Sequence, residues 1–362
     1  MQLTAAARPT APLAIPADIR TLLARFDLTL DGLLTDSNPK LAKGSATAHS
    51  VILHHLPAKA LAAAVTPGHQ GATAPRSYLA KLAAIVDREG LGPVAHRHNG
   101  CPWATAGCMA GCLAWAGHGG LSAAVASARG RRTLAMLASP ATYGRAVLWT
   151  IARHWAKAQA LEVPLAVRLR GTDEGPAIGW HRLALELHPS EAQALSRRFG
   201  LSAEPGAGPD HTLSRILGHA LADGSLWLYD YSKAPLSGPL GLKAQSAAGW
   251  HVTASMAADR ETAVADAWVA ARAGYSVAIP IALATDQPLP VAVTLTPYGG
   301  EPLTLRAVNG DTTDQRWKDP AGSAVILRTK TSRGAGPDAK AFSLAPTAED
   351  QPLRDGLIRL SW

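Results

Sequence analysis

Short apolar, β-branched runs alternate with longer amphipathic stretches along most of this chain. Residues 50–56, 164–170, 226–231, 249–255, 275–281 and 323–328 read as buried strands. Helical periodicity covers 18–25, with Asp18 as its cap, and 78–89, closed by Gly90. It returns over 122–137, over 140–161 with Pro140 in the first turn, and over 190–199, 211–221 and 259–273. Strands that alternate with helices predict an α/β fold, a parallel sheet with helical crossovers. The number of units favours a full or partial β/α barrel over an open doubly wound sheet. In both architectures chemistry gathers at the C-terminal ends of the strands.

The pattern divides the chain into a leader with a short helix (1–36), one barrel-like domain (37–345) and a C-terminal tail (346–362). Residues 57–75, rich in Gly, Pro and Ala, read as a loop. No apolar run nears the roughly 18 residues of a membrane helix, and no secretory signal opens the chain. A cytoplasmic protein without membrane contact is therefore expected.

Composition adds little to the fold. With 47% hydrophobic and 17% charged residues over 362 positions, the chain has ample material for a core. The formal net charge of +8 changes the functional picture more, because it favours an anionic partner such as a nucleotide or nucleic acid. Arg328, Lys330 and Arg333 form a basic group suited to phosphates.

The three cysteines of the chain all fall in one segment, Cys101, Cys108 and Cys112, on a loop near the start of the predicted domain. An odd count argues against a disulfide framework, and clustered thiolates are ligands for soft metals. A histidine, His98 or His118, would complete a closed tetrahedral zinc site. Three cysteines alone leave one iron of a [4Fe-4S] cluster open to substrate or S-adenosylmethionine. The spacing fits neither common zinc knuckles nor the usual radical S-adenosylmethionine motif, and the plain alternative is three small buried thiols.

Polar residues also gather at the strand exits: Asp173 and Glu174, then Asp230, Tyr231 and Lys233, then Ser255, then Arg328 and Lys330. Asp173, Tyr231 and Lys233 are the candidate catalytic groups. No phosphate-binding G-x-x-x-x-G-K-[ST], G-x-S-x-G elbow or H-E-x-x-H zinc motif is present.

Asn38 to Gly44, the cysteine segment 101–112, Val167 to Asp173, Tyr229 to Lys233, Trp250 to Ser255 and Asp319 to Lys330 follow one another in the order of a known family. Over about residues 38 to 345 the chain resembles phage- and plasmid-borne proteins related to the phage gene product 88 family. That cysteine loop is similar to those of radical S-adenosylmethionine proteins. The resemblance implies a partial barrel with Cys101, Cys108 and Cys112 as cluster ligands and Asp173, Tyr231 and Lys233 around the same mouth. The chain departs from the family where it reads Gly-Thr-Asp-Glu at 171–174 in place of the commoner Gly-Thr-Ser-Asp, and in a longer stretch over 182–224. The leading expectation is a mobile-element iron–sulfur enzyme acting on a nucleotide or nucleic acid. The alternative is a zinc-stabilised nucleic-acid-binding protein of replication or packaging, without redox chemistry.

Overall fold

The computed structural model describes residues 14–37, 39–57, 60–65, 76–112, 122–174, 179–198, 212–284, 286–329, 341, 343–345 and 350–362. Among the described residues eleven strands make one sheet, ordered β1-β2-β3-β4-β5-β6-β9-β8-β7-β11-β10. They are β1 (Leu34–Thr35), β2 (His49–Leu53), β3 (Leu165–Arg168), β4 (Leu226–Ser232), β5 (Trp250–Ser255) and β6 (Val277–Ile281) in one half. The other half holds β7 (Ala292–Pro297), β8 (Leu303–Asn309), β9 (Ala324–Arg328), β10 (Gln351–Leu353) and β11 (Gly356–Ser361).

From β2 to β6, and on through β9 to β8, every neighbouring pair is parallel. The sheet is open, with β1 at one edge and β10 at the other. The expected strands match β2 to β6 and β9, and the α/β class with a mostly parallel sheet stands.

Alternation along the strands sorts side chains onto two faces. Leu165 and Val167 of β3 sit beside Leu226 and Leu228 of β4, and all four join the main core with Val147, Leu148 and Ile151 of helix Pro140–Ala160. Ala166 sits beside Trp227, and both face away from that core. On that second face Trp317 stacks on Trp227 at 5.9 Å and meets Tyr229 edge-on at 5.0 Å. Trp317 belongs to the connection from β8 to β9, which packs against β4 and β5. Both faces are thus covered, which is why β2 and β6 are buried along their whole length.

Two expected boundaries move. The leader helix, Ala17–Arg25, is part of the main body. Its Ile19, Leu22 and Leu23 are buried, each burial being worth about 1.5–3 kcal/mol. Its Asp18 carboxylate accepts from Arg145 of helix Pro140–Ala160, which also reaches Glu191 at 2.6 Å. The expected tail supplies β10 and β11, and β11 pairs with β7 along its full length. Gly356 permits that pairing, because a Cβ there would lie 2.5 Å from the Thr296 carbonyl oxygen. In place of the single helix expected over 211–221, the described residues form two short helices, Leu213–Ile216 and Gly218–Ala222.

Candidate functional site

The cysteine segment is fastened beyond two parallel strands, and one of its anchors reaches on to a third. Thr105 caps the short helix Ala106–Ala110, its hydroxyl accepting from the Cys108 amide at 3.1 Å. The same hydroxyl donates to Asp259, beyond β5, at 2.6 Å, and the Gly107 amide donates to the other Asp259 oxygen at 2.8 Å. Beyond β3, the Glu174 amide donates to the Gly100 carbonyl at 2.9 Å. The Glu174 carboxylate in turn accepts from the backbone amide of Lys233 (3.0 Å) and from its Nζ (3.2 Å), just beyond β4. Cys101, Cys108 and Cys112 are half-buried and form no disulfide. Burial opposes the charge on Lys233, but Glu174, then Cys108 and Cys101, outweigh it and raise the lysine pKa. The ammonium therefore stays charged beside the Glu174 carboxylate.

Beside this lies a group of histidines at the exit of β2. His55 meets the Tyr143 hydroxyl through Nε2 at 3.1 Å, and its Nδ1 lies 3.7 Å from an Asp173 oxygen. Its ring stacks on Trp180 at 6.2 Å. His98 is buried close enough to feel both His55 and Asp173, and burial pushes its pKa down to about 4. Burial, with Arg129 and Arg168 nearby, pushes His54 down to about 3. Gly171 makes this packing possible, since a Cβ there would lie 2.4 Å from His54 Nδ1. Five buried atoms of these residues have no hydrogen-bond partner among the described residues: His54 Nδ1, His55 Nδ1, His98 Nε2, Asp173 Oδ1 and Glu174 Oε2. Leaving such an atom unpaired costs about 1–3 kcal/mol each, so their collection at one end of the sheet marks a site.

A second polar group occupies β3 and β4 and is paired throughout. Asp230 accepts from Arg168 Nε at 3.3 Å and Arg170 Nε at 3.1 Å. Arg168 also reaches Asp314 at 3.2 Å, and Arg170 reaches Gln245 at 2.5 Å. The Tyr229 and Tyr231 hydroxyls donate to the two Asp314 oxygens at 3.2 and 3.4 Å. The Arg168 guanidinium lies over the Tyr231 ring at 4.7 Å.

The predicted residues therefore separate. Lys233 is joined through Glu174 to the cysteine segment and Asp173 lies against His55, while the hydroxyl of Tyr231 belongs to the paired network around Asp314. Ser255 lines a cleft between β4, β5 and helix Ala263–Arg272, together with Lys233, Met256 and Arg260. Arg328 stands apart, its guanidinium donating to the carbonyls of Ala284 (3.1 Å) and Gln287 (2.8 Å). Lys330, Arg333 and His118 lie outside the described residues. His54 and His55 escaped the sequence reading. The rule that polar residues at strand exits carry chemistry, applied to the 50–56 strand as to the others, would have found them.

The donor set suits a soft metal group, with three thiols in one segment and a charged lysine at a strand-exit mouth. A single tetrahedral ion with bonds of about 2.3 Å needs its sulfurs within about 4 Å of one another. Among the described residues, only Asp36, His49 and His154 bring three ligand atoms within 4.8 Å of one another. Among the described residues, Cys101, Cys108 and Cys112 do not bring three ligand atoms that close together. No protein-family model, curated protein or solved structure matches the chain.

Proposed function

We propose that this chain is an iron–sulfur enzyme built on a partial β/α barrel, acting on an anionic substrate of the nucleotide or nucleic-acid class. The observation that carries the reading is the fastening of the cysteine segment beyond β5 through Asp259 and beyond β3 through Glu174, whose carboxylate also binds Lys233 beyond β4. The succession of β2 to β6 in chain order, each parallel to the last, supports the partial-barrel description.

Cys101, Cys108 and Cys112 would hold a [4Fe-4S] cluster, which supplies electron transfer and an iron position open to substrate or S-adenosylmethionine. Lys233 would bind an anionic group of the substrate, with Glu174 fixing its position. Asp173, His55 and His98 would hold or move a proton, since His98 is neutral near pH 7 and Asp173 carries an oxygen without a partner among the described residues. The paired network of Arg168, Asp230 and Asp314 would keep β3 and β4 in place, with Tyr231 as part of that support. The net charge of +8 favours an anionic substrate.

Reconstitution with iron and sulfide under anaerobic conditions, followed by electron paramagnetic resonance of the reduced protein, tests the reading. The expected result is a cluster signal that shifts on addition of S-adenosylmethionine or a nucleotide and weakens in Cys108→Ala. A protein that takes up zinc but no cluster, and binds DNA in a salt-sensitive way, would instead support the nucleic-acid-binding alternative.

A further inference from the structure

At the opposite end of the sheet from the cysteines, three ligand-type residues converge from three separate segments. His49 opens β2, where its amide donates to the Pro164 carbonyl at 2.9 Å. His154 lies on helix Pro140–Ala160, and Asp36 directly follows β1. His49 Nε2 and His154 Nδ1 are 3.0 Å apart, and one oxygen of Asp36 completes a triangle of atoms lying within 4.8 Å of one another. The His49 ring is buried, and the two imidazoles meet at a tilt of 35°.

We infer that Asp36, His49 and His154 form a binding site for a divalent transition-metal ion of the zinc type. Two imidazoles and one carboxylate are the donor set that zinc, iron(II), cobalt(II) and nickel(II) accept and that magnesium and calcium do not favour. Bonds of about 2.0–2.1 Å from one ion to two imidazoles place the nitrogens roughly 3–3.5 Å apart, close to the separation found here. The carboxylate has an oxygen to spare, because Lys157 takes only Oδ2, at 2.6 Å. Binding requires the proton shared between the two imidazoles to move to the outer nitrogen of one ring, so both inner nitrogens present lone pairs. No net proton is released by the histidine pair.

The position assigns the ion a role. The N-terminal ends of parallel strands are where residues serve stability and not chemistry. One ion held from the β1 edge, from β2 and from the long helix would clamp the two-residue strand β1 and the leader segment to the sheet. This inference does not rest on the iron–sulfur reading, and its test is built to stay separate from it.

The test is cobalt(II) added to the full-length apo-protein, read by visible absorption and thermal melting. The expected result is a weak d–d absorption without the intense sulfur-to-cobalt charge-transfer band, saturating at a single equivalent in the Cys101→Ser/Cys108→Ser/Cys112→Ser variant. In that variant Tm rises by a few degrees with zinc or cobalt, and the rise grows with metal concentration. His154→Ala and Asp36→Asn, introduced into the same variant, should lose the absorption and the metal-dependent rise in Tm. Should the triple variant fail to fold, the wild-type protein is compared with His154→Ala, and loss of one equivalent of bound cobalt upon that substitution is the expected result. Absence of a nitrogen- and oxygen-bound cobalt spectrum in both backgrounds, or a spectrum unchanged by His154→Ala, overturns the proposal.

Discussion

Two groups of polar side chains meet around the C-terminal end of β3, and they are built on opposite principles. Arg168, Arg170, Asp230 and Asp314 satisfy one another with the help of Tyr229, Tyr231 and Gln245. His54, His55, His98, Asp173 and Glu174, next to the cysteine segment, each keep an atom with no partner among the described residues. A closed network of charges holds strands in register, whereas a half-satisfied one costs stability and persists where another molecule completes it. The contrast distinguishes scaffold from site among residues that look alike in the sequence.

The strongest way to break the comparison is in the paired group. Asp230→Ala leaves the Arg168 and Arg170 guanidinium groups buried without their shared partner. We expect a loss of about 3–5 kcal/mol in denaturant unfolding. A loss below about 1 kcal/mol would mean that this network is not the scaffold.

A further effect, summed over three rings, is expected from pH. His98 and His54 have folded-state pKa values of about 4 and about 3, depressed chiefly by burial below the unfolded value of 6.5. His49 is similarly depressed to about 4, by burial first and then by His154 and Lys157. Below about pH 6.5 the unfolded chain binds protons that the folded chain refuses. The stability these neutral rings contribute is therefore complete above the unfolded value of 6.5 and is lost as pH falls toward about 4. Each ring contributes a slope of up to about 1.4 kcal/mol per pH unit in that window. Unfolding of the metal-free protein from about pH 7 down to about pH 4 should show this decline, and His98→Gln should make it shallower without removing it.

The smallest effect should come from the unpaired group. Asp173→Asn removes a buried carboxylate that has one orphaned oxygen and a 3.7 Å contact to His55. It should leave stability within about 1 kcal/mol of wild type, or raise it, as substitutions at functional sites often do. A cost equal to that of Asp230→Ala would erase the distinction between the two groups.

Much of the parallel half of the fold was legible in the sequence, because β2 to β6 and β9 are short segments rich in apolar, aromatic and β-branched residues, bounded by turn residues. The antiparallel part was not. Ala292–Pro297 and Gly356–Ser361 alternate apolar and polar residues, a period-two signal that a search for apolar runs passes over. The cysteine segment stood out by composition alone, and Asp173 and Lys233 by their places after strands. Asp314 could not be found that way, because it joins Arg168 across 146 residues of chain through a connection that crosses the sheet face. Tyr231 parts from the other candidates for a related reason, since it sits where β4 still runs and its hydroxyl turns toward that same connection.

The most direct test of the account is iron, sulfide and zinc analysis of the full chain purified without oxygen, alongside its Cys101→Ala/Cys108→Ala/Cys112→Ala variant. The account predicts a brown wild-type protein containing iron and acid-labile sulfide, and a variant that has lost both while remaining folded. A wild-type protein that is colourless and free of iron after anaerobic reconstitution, or one whose iron survives removal of all three cysteines, would contradict it.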